Sequence, residues 1–346
     1  MLKLQIALFL LLQTSASTAQ TPMSYDVQEA LPEPRVFAPG IISTGDYETH
    51  PAFSPDGRSL YFVKMGPDLR KWTIFMSQYK GGKWEDPQIA TFSGRYWDAD
   101  PYFTKDGNTL FFISNRPLKD GGSQKGDFDI WKVQRVNNEW SKPIRLEPPI
   151  NSETSEYYPT VADDGTMYFG SRRKDGRGGS DIYVSRLENG IYRTAENLGE
   201  SVNTPGNEFE PFIAFDESFL IFMATPSESL EEADLYISYN RQGNWTKALK
   251  LPAPFNSDAT EFSPKVTRDS KYFFFSSARN KYDRRFESAE TTAEMSQRIR
   301  ESGNGLGDIY QVDFVALQNA LEITHESMIF KPSQIFASEN GQQAGE

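Results

Sequence analysis

The chain has 346 residues, with 36 Lys and Arg against 48 Asp and Glu, a net charge of -12, two His and no Cys. The absence of cysteine excludes disulfides, thiolate metal ligands, a cysteine nucleophile and lipidated cysteines, while the acidic balance argues against nucleic acid and anionic lipid, which are bound by clustered Lys and Arg. A neutral, cationic or protein partner is expected, and the 14 % aromatic content with 25 Gly and 21 Pro points to a β-rich, turn-rich fold.

At the start of the chain Lys3 precedes an apolar run over 6–12 and then small residues, with Ser17 and Ala19 placed as signal peptidase prefers. Cleavage after Ala19 is expected, because that run is far shorter than the roughly 20 residues needed to span a bilayer. The mature chain is then periplasmic or secreted, without membrane insertion. Residues 20–331 read as one domain that begins with a strand over 35–43. The polar residues 332–346 read as a flexible tail.

Five segments share one pattern: PAFSPDG from 51, PYFTKDG from 101, PTVADDG from 159, PFIAFDE from 211 and PKVTRDS from 264. Asp56, Asp106, Asp164, Asp216 and Asp269 each stand five residues after the Pro. β-branched and aromatic runs follow: LYFV at 60, LFFIS at 110, MYFGS at 167, LIFMA at 220 and YFFFSS at 272. Two strands around an Asp-centred turn make a hairpin. Third strands follow at WTIFMSQY (72), DIWKVQR (129), DIYVSRL (181), DLYISYN (234) and DIYQVDF (308), and outer strands at KWEDPQIA (83), EWSKPIRL (139), IYRTAENL (191) and NWTKALKL (244). Four antiparallel strands repeating at this period are the signature of a propeller blade, which buries its faces only between neighbouring blades. The fifth repeat lacks an outer strand, and strand 35–43 is placed to supply it and close the ring. The expected fold is all-β, a five-bladed β-propeller of four-stranded antiparallel blades. A sixth blade, the alternative, would need four more strands after Phe314.

The hairpin P-x-[FV]-x-x-D-G, the aromatic strand, S-x-R and then G-x-x-D-I-[YW] resemble the TolB-type, WD40-like propeller repeat of exported bacterial proteins, over residues 48–314. Linkers LEPPINS at 146, LGESVNT at 198 and LPAPFNS at 251 strengthen the likeness. The resemblance implies a binding scaffold at the cell envelope, a sensor, or an appendage to an enzyme. It does not extend to the other domain of TolB, so a Tol-Pal role is not implied. No G-x-S-x-G is present, which sets aside the propeller-bearing serine peptidases.

The loops leading into the first strands and those joining the second to the third gather on one face around the central channel. Three residues before each repeat Pro lies a carboxylate: Glu48, Asp98, Glu156, Glu208 and Glu261. The same face receives Arg116, Arg173 and Arg279 from the S-x-R motifs, and Asp129, Asp181, Asp234 and Asp308 at the third-strand starts. Strict repetition is what a structural Arg-carboxylate device would show. Blades one and four lack the arginine, leaving Glu48 and Glu208 without a repeat-derived partner. Beside them, in the position just before the Pro, stand His50 and Glu210, where other blades have Asp100, Tyr158 and Ser263. With Tyr96, Trp97, Tyr157 and Tyr158, acids and aromatics share this face, a combination that stacks on sugar rings or grips basic peptides.

The expected function is therefore a monomeric scaffold that binds an envelope protein or glycan through its acidic, aromatic loop face, with no catalytic residue assigned. The alternative is a glycosidase-like enzyme using two channel carboxylates roughly 5 to 10 Å apart. No cofactor is expected: calcium has no D-x-D-x-D-G loop to hold it, and His50 and His325 do not have zinc-site spacing. One long insertion, 278–307, is expected to carry a helix over 287–300 that lies on the rim and narrows access to the channel.

Overall fold

Each Asp-centred repeat folds as the expected hairpin. The first strands Tyr47–Phe53, Asp98–Phe103, Glu156–Val161, Asn207–Ile213 and Glu261–Val266 pair antiparallel with Ser59–Met65, Thr109–Ser114, Met167–Ser171, Phe219–Thr225 and Tyr272–Ser277. The turn Asp accepts the backbone N–H two residues on: Asp56 from Arg58, Asp106 from Asn108, Asp164 from Thr166, Asp216 from Ser218 and Asp269 from Lys271. The next residue is left-handed, which Gly57, Gly107 and Gly165 adopt freely, whereas Glu217 (φ 58) and Ser270 (φ 57) take it in the last two blades. The computed structural model describes residues 23–330 apart from 67, 69, 120, 226–232 and 283–288, so the signal segment 1–19 and the tail 332–346 lie outside the described residues.

Third strands Thr73–Lys80, Asp129–Val136, Asp181–Ser185, Asp234–Arg241 and Asp308–Asp313 complete the hydrogen-bonded core of five blades. The outer strands are not continuous. In blade one Lys83–Trp84 and Gln88–Ile89 pair separately with the third strand, and the same break recurs in blades two and four, while in blade three Ile191–Tyr192 pairs with Leu187–Glu188 and Glu196–Asn197 with the third strand. Third-strand serines hold the break open, Ser77, Ser185 and Ser238 each donating to a carbonyl of the outer segment at 2.5 Å. Pro87 and Pro143, lacking an N–H, fall inside it in the first two blades.

Blade five is completed by the N-terminal segment, which closes the ring. Arg35–Val36 pairs with Gln311 and Tyr310, and the N–H of Phe37 reaches the Ile309 carbonyl at 2.8 Å. This strand is shorter than 35–43, because Ala38 and Gly40 turn left-handed and bend the chain away. Phe37, Ile42, Leu60, Phe62, Phe274 and Ile309 pack at this seam, so the closure is apolar as well as hydrogen-bonded. After Asp313 comes a helix, Phe314–Phe330, that the sequence analysis did not anticipate. Its Phe314, Leu317 and Leu321, spaced three and four apart as one helical face requires, bury against the apolar cluster of blades four and five.

Candidate functional site

The five repeat carboxylates are fully buried within their own blades. Four are clamped by the hydroxyl and backbone N–H of the residue four positions earlier: Glu48 by Thr44, Glu156 by Ser152, Glu208 by Thr204 and Glu261 by Ser257, at 2.5 to 3.0 Å. Asp98, one carbon shorter, is reached by the Ser93 hydroxyl at 2.8 Å. The loops so fixed are also held by Asn151, Asn203 and Asn256 of the linker motif. Each of these accepts a third-strand N–H and donates back to buried carbonyls, as Asn256 does to Leu235 and Leu251.

Cations complete most of these locks. Arg116 pairs with Asp98 at 2.6 Å and Arg279 with Glu261 at 3.1 Å, while Arg173 stands 3.7 Å from Glu156 and donates to the carbonyls of Pro149 and Ile150. In blade one Lys64, opposite Glu48 in the sheet, substitutes for the missing arginine at 3.0 Å. Glu208 faces Ala224 instead and has no cation within ion-pair distance among the described residues, and burial pushes its carboxyl up to about 7. Asp129 pairs with Arg145 and Lys125, Asp234 with Lys250, Asp181 accepts from Asn197 and Gly178, and Asp308 accepts the Gly303 N–H. Burial also carries Asp308 to about 7. None of these groups lines the central opening.

The residues immediately before the repeat prolines do meet at the channel axis. His50, Asp100, Tyr158, Glu210 and Ser263 all have φ between 47° and 56°, and in every blade the hairpin register slips at this point. A β-bulge with a non-glycine residue in the left-handed region stores strain, five times over, around one axis. The backbone is repeated but the chemistry is not. His50 Nε2 lies 3.2 Å from Asp100 and 3.3 Å from Glu210, and its Nδ1 lies 2.6 Å from the Thr49 hydroxyl. Asp100 accepts the Tyr158 N–H at 2.8 Å, and Glu210 accepts the Ser263 N–H and hydroxyl at 2.5 and 3.0 Å. Burial alone would neutralise His50, but Glu210 and Asp100 outweigh it and hold its pKa raised. Burial lifts Asp100 to about 6 against the pull of His50. Glu210 is half-buried, yet His50 and the two Ser263 bonds keep it below the usual carboxylate range.

Above this floor opens a funnel of about 400 Å³ on the loop face. Its wall is Tyr47, Trp72, Tyr157, Phe209 and Phe262, with Met65, Ile113 and Met223 between them, and the exposed Arg172 at the rim. Trp72 stacks on Phe128 at 5.1 Å and is backed by Trp97 at 5.9 Å. Of the residues singled out in the sequence, His50, Asp100, Tyr157 and Glu210 line the funnel. Trp97 and the buried Tyr158 lie behind its surface. Tyr47, Phe209 and Phe262 were not singled out, although strand alternation carries the signal: residues two and four before the Pro face opposite to the carboxylate three before it. Trp72, also missed, stands just ahead of the third strand of blade one and has no such signal.

The insertion carries the helix Thr292–Arg298, shorter than 287–300, started by a capping box between Thr291 and Glu294 and burying no residue. Asn304 at its base donates to the Gly45 carbonyl, and a side chain at Gly45 would strike the Arg300 backbone. The described part of the segment thus rests on the incoming loop of blade one and contributes nothing to the funnel lining. Among the described residues no His, Asp or Glu cluster could hold a metal ion, and no helix is long and apolar enough to cross a membrane.

No protein-family profile and no curated protein matches the sequence. Solved structures do. A protein described as TolB from Agrobacterium tumefaciens is 13 % identical over 78 % of this chain and 90 % of its own, with a TM-score of 0.45. An alpha-L-arabinofuranosidase from Lactobacillus brevis is 12 % identical over 79 % and 92 %, at 0.49. A protein of unknown function from Dyadobacter fermentans is 14 % identical over 71 % and 80 %, at 0.44.

Proposed function

We propose that this chain is an exported binding propeller built from TolB-type repeats, and that its funnel receives the end of a glycan. The observation that carries the reading is the funnel itself: five aromatic walls over a floor that carries the interlocked His50, Asp100 and Glu210. Aromatic faces suit the C–H faces of a sugar ring, and fixed carboxylates accept its hydroxyls. A volume of about 400 Å³ admits one or two rings and not a folded partner surface. The five repeat carboxylates serve this site at one remove, by fixing the loops that bear its walls.

A glycosidase-like role is the second reading. It is favoured by the opposite displacement of Asp100 and Glu210, the pattern that separates an acid from a base. Thermal shifts and calorimetry of chain 20–346 against envelope, plant and algal oligosaccharides test both. One sugar class should bind, and Trp72→Ala and Tyr157→Ala should each weaken it about tenfold, the worth of one stacking contact. Turnover of that sugar, abolished by Asp100→Asn, would favour the enzyme. Binding that survives both wall substitutions, or none with any sugar, overturns the glycan reading.

A further inference from the structure

The opposite mouth of the channel holds a group that the funnel does not use. Lys265 follows the Ser263–Pro264 bulge of blade five and is 8 % exposed. Its ammonium nitrogen sits 4.1 Å from the centroid of the Tyr158 ring and 4.8 Å from that of Tyr102. Both hydroxyls point away from it, Tyr102 donating to the Val161 carbonyl and Tyr158 turned toward that of Pro264, so the ammonium meets the ring faces. No carboxylate of the described residues lies within ion-pair distance of it. The charged and titratable groups facing it are His50, Asp100 and Glu210 from the funnel floor, Tyr102 and Tyr158 at its sides, and Arg268 at the mouth, itself paired with Asp163 at 2.7 Å. Burial outweighs the pull of Asp100 and Glu210 and lowers this amine to about 7.

Lys265 also lines a void of about 70 Å³ on the hairpin face, walled by Pro51, Ala52, Phe53, Tyr102, Phe212 and Phe274 among others. We propose that this void is a covalent capture site for small aldehydes or ketones, with the Lys265 amine as nucleophile. An unprotonated lysine in a desolvated pocket is the ordinary nucleophile for carbonyl carbon. The amine nitrogen bonds to that carbon as the C=O π bond opens onto oxygen, and one N–H proton passes to that oxygen to give a carbinolamine. The carbinolamine loses its hydroxyl as water, taking up one proton while the nitrogen gives up its own, and leaves the imine. An apolar lining favours both the uncharged amine and the loss of water, and the volume limits the guest to a few heavy atoms.

The test is limited reductive alkylation of the folded chain with propanal and cyanoborohydride at pH 7, read lysine by lysine by peptide mapping. At pH 7 an amine titrating at about 7 is half unprotonated, whereas an ordinary lysine is so to roughly one part in a thousand or less. With allowance for restricted access, Lys265 should react at least about tenfold faster than the median lysine at pH 7, and the preference should vanish in denaturant and shrink to a few-fold or less at about pH 10, where ordinary lysines also lose their protons. The bulkier benzaldehyde should lose the preference at pH 7. Labelling of Lys265 no faster than the other lysines, or only after unfolding, overturns the proposal.

Discussion

Among the described residues Glu208 is the one repeat carboxylate without a cation, and its replacement by Gln should stabilise the protein. Thr204 supplies both of its hydrogen bonds, through its N–H at 2.9 Å and its hydroxyl at 2.6 Å, and the nearby Asp181 opposes its ionisation. Burial raises its carboxyl from 4.5 to about 7, so between these values the folded state holds a proton that the unfolded state has released. Stability must then fall as pH rises through this window, because the native state binds more protons. At about 1.4 kcal/mol per unit, a displacement of about 2.5 units amounts to about 3 kcal/mol lost by pH 8 and little below pH 4.5. Gln keeps both bonds, its oxygen accepting the Thr204 N–H and its amide donating to the rotated hydroxyl, without the charge. Urea unfolding at pH 5 and pH 8 should show Glu208→Gln more stable by about 2 to 3 kcal/mol at pH 8 and by under about 1 kcal/mol at pH 5. Glu261→Gln, which strips Arg279 of its partner, should instead be destabilising by about 3 kcal/mol at pH 8. Equal effects of Glu208→Gln at the two pH values, or a loss at pH 8 like that of Glu261→Gln, would refute the reasoning.

Two further substitutions probe the frame around the site. Asn256→Ala leaves the Leu235 N–H and the Leu251 carbonyl unpaired in the interior, while the Leu235 carbonyl keeps the Leu251 N–H at 2.9 Å, and should lower stability by about 2 to 3 kcal/mol with an unchanged urea m-value. Leu317→Ala empties a fully buried position of the C-terminal helix and should be destabilising by about 2 to 5 kcal/mol in the same assay, whereas a loss under about 0.5 kcal/mol would mean the helix is not part of the cooperative unit.

The ring architecture was legible because a hairpin turn and two strand patterns recur five times, each read by local chemistry: an Asx turn, an aromatic second strand, a third strand opening on Asp. The outer strands were misjudged as continuous because their break is held by Ser77, Ser185 and Ser238 on another strand, a tertiary contact invisible to strand propensity. The helix Phe314–Phe330 escaped notice because its apolar face shows only once Leu317 and Leu321 are placed against blade five. The site was half legible. Repetition drew attention to Glu48, Asp98, Glu156, Glu208 and Glu261, yet repetition marks what every blade needs in order to fold. The funnel floor lies in the register just before the Pro, where five identical bulges carry His, Asp, Tyr, Glu and Ser. Lys265 escaped because nothing local distinguishes it from a solvent-facing strand lysine. Only the convergence of Tyr102 and Tyr158 from two other blades buries it.

The central claim is that the funnel, and not the carboxylate ring, is where this propeller meets its ligand. A crystal structure of chain 20–346 with an oligosaccharide that binds in solution tests this most directly. The account predicts a sugar ring stacked on Trp72 or Tyr157 with hydroxyls on Asp100 and Glu210. A ligand seated on the outer strands, against the insertion 278–307, or at the hairpin-face mouth, with the funnel vacant, would contradict it.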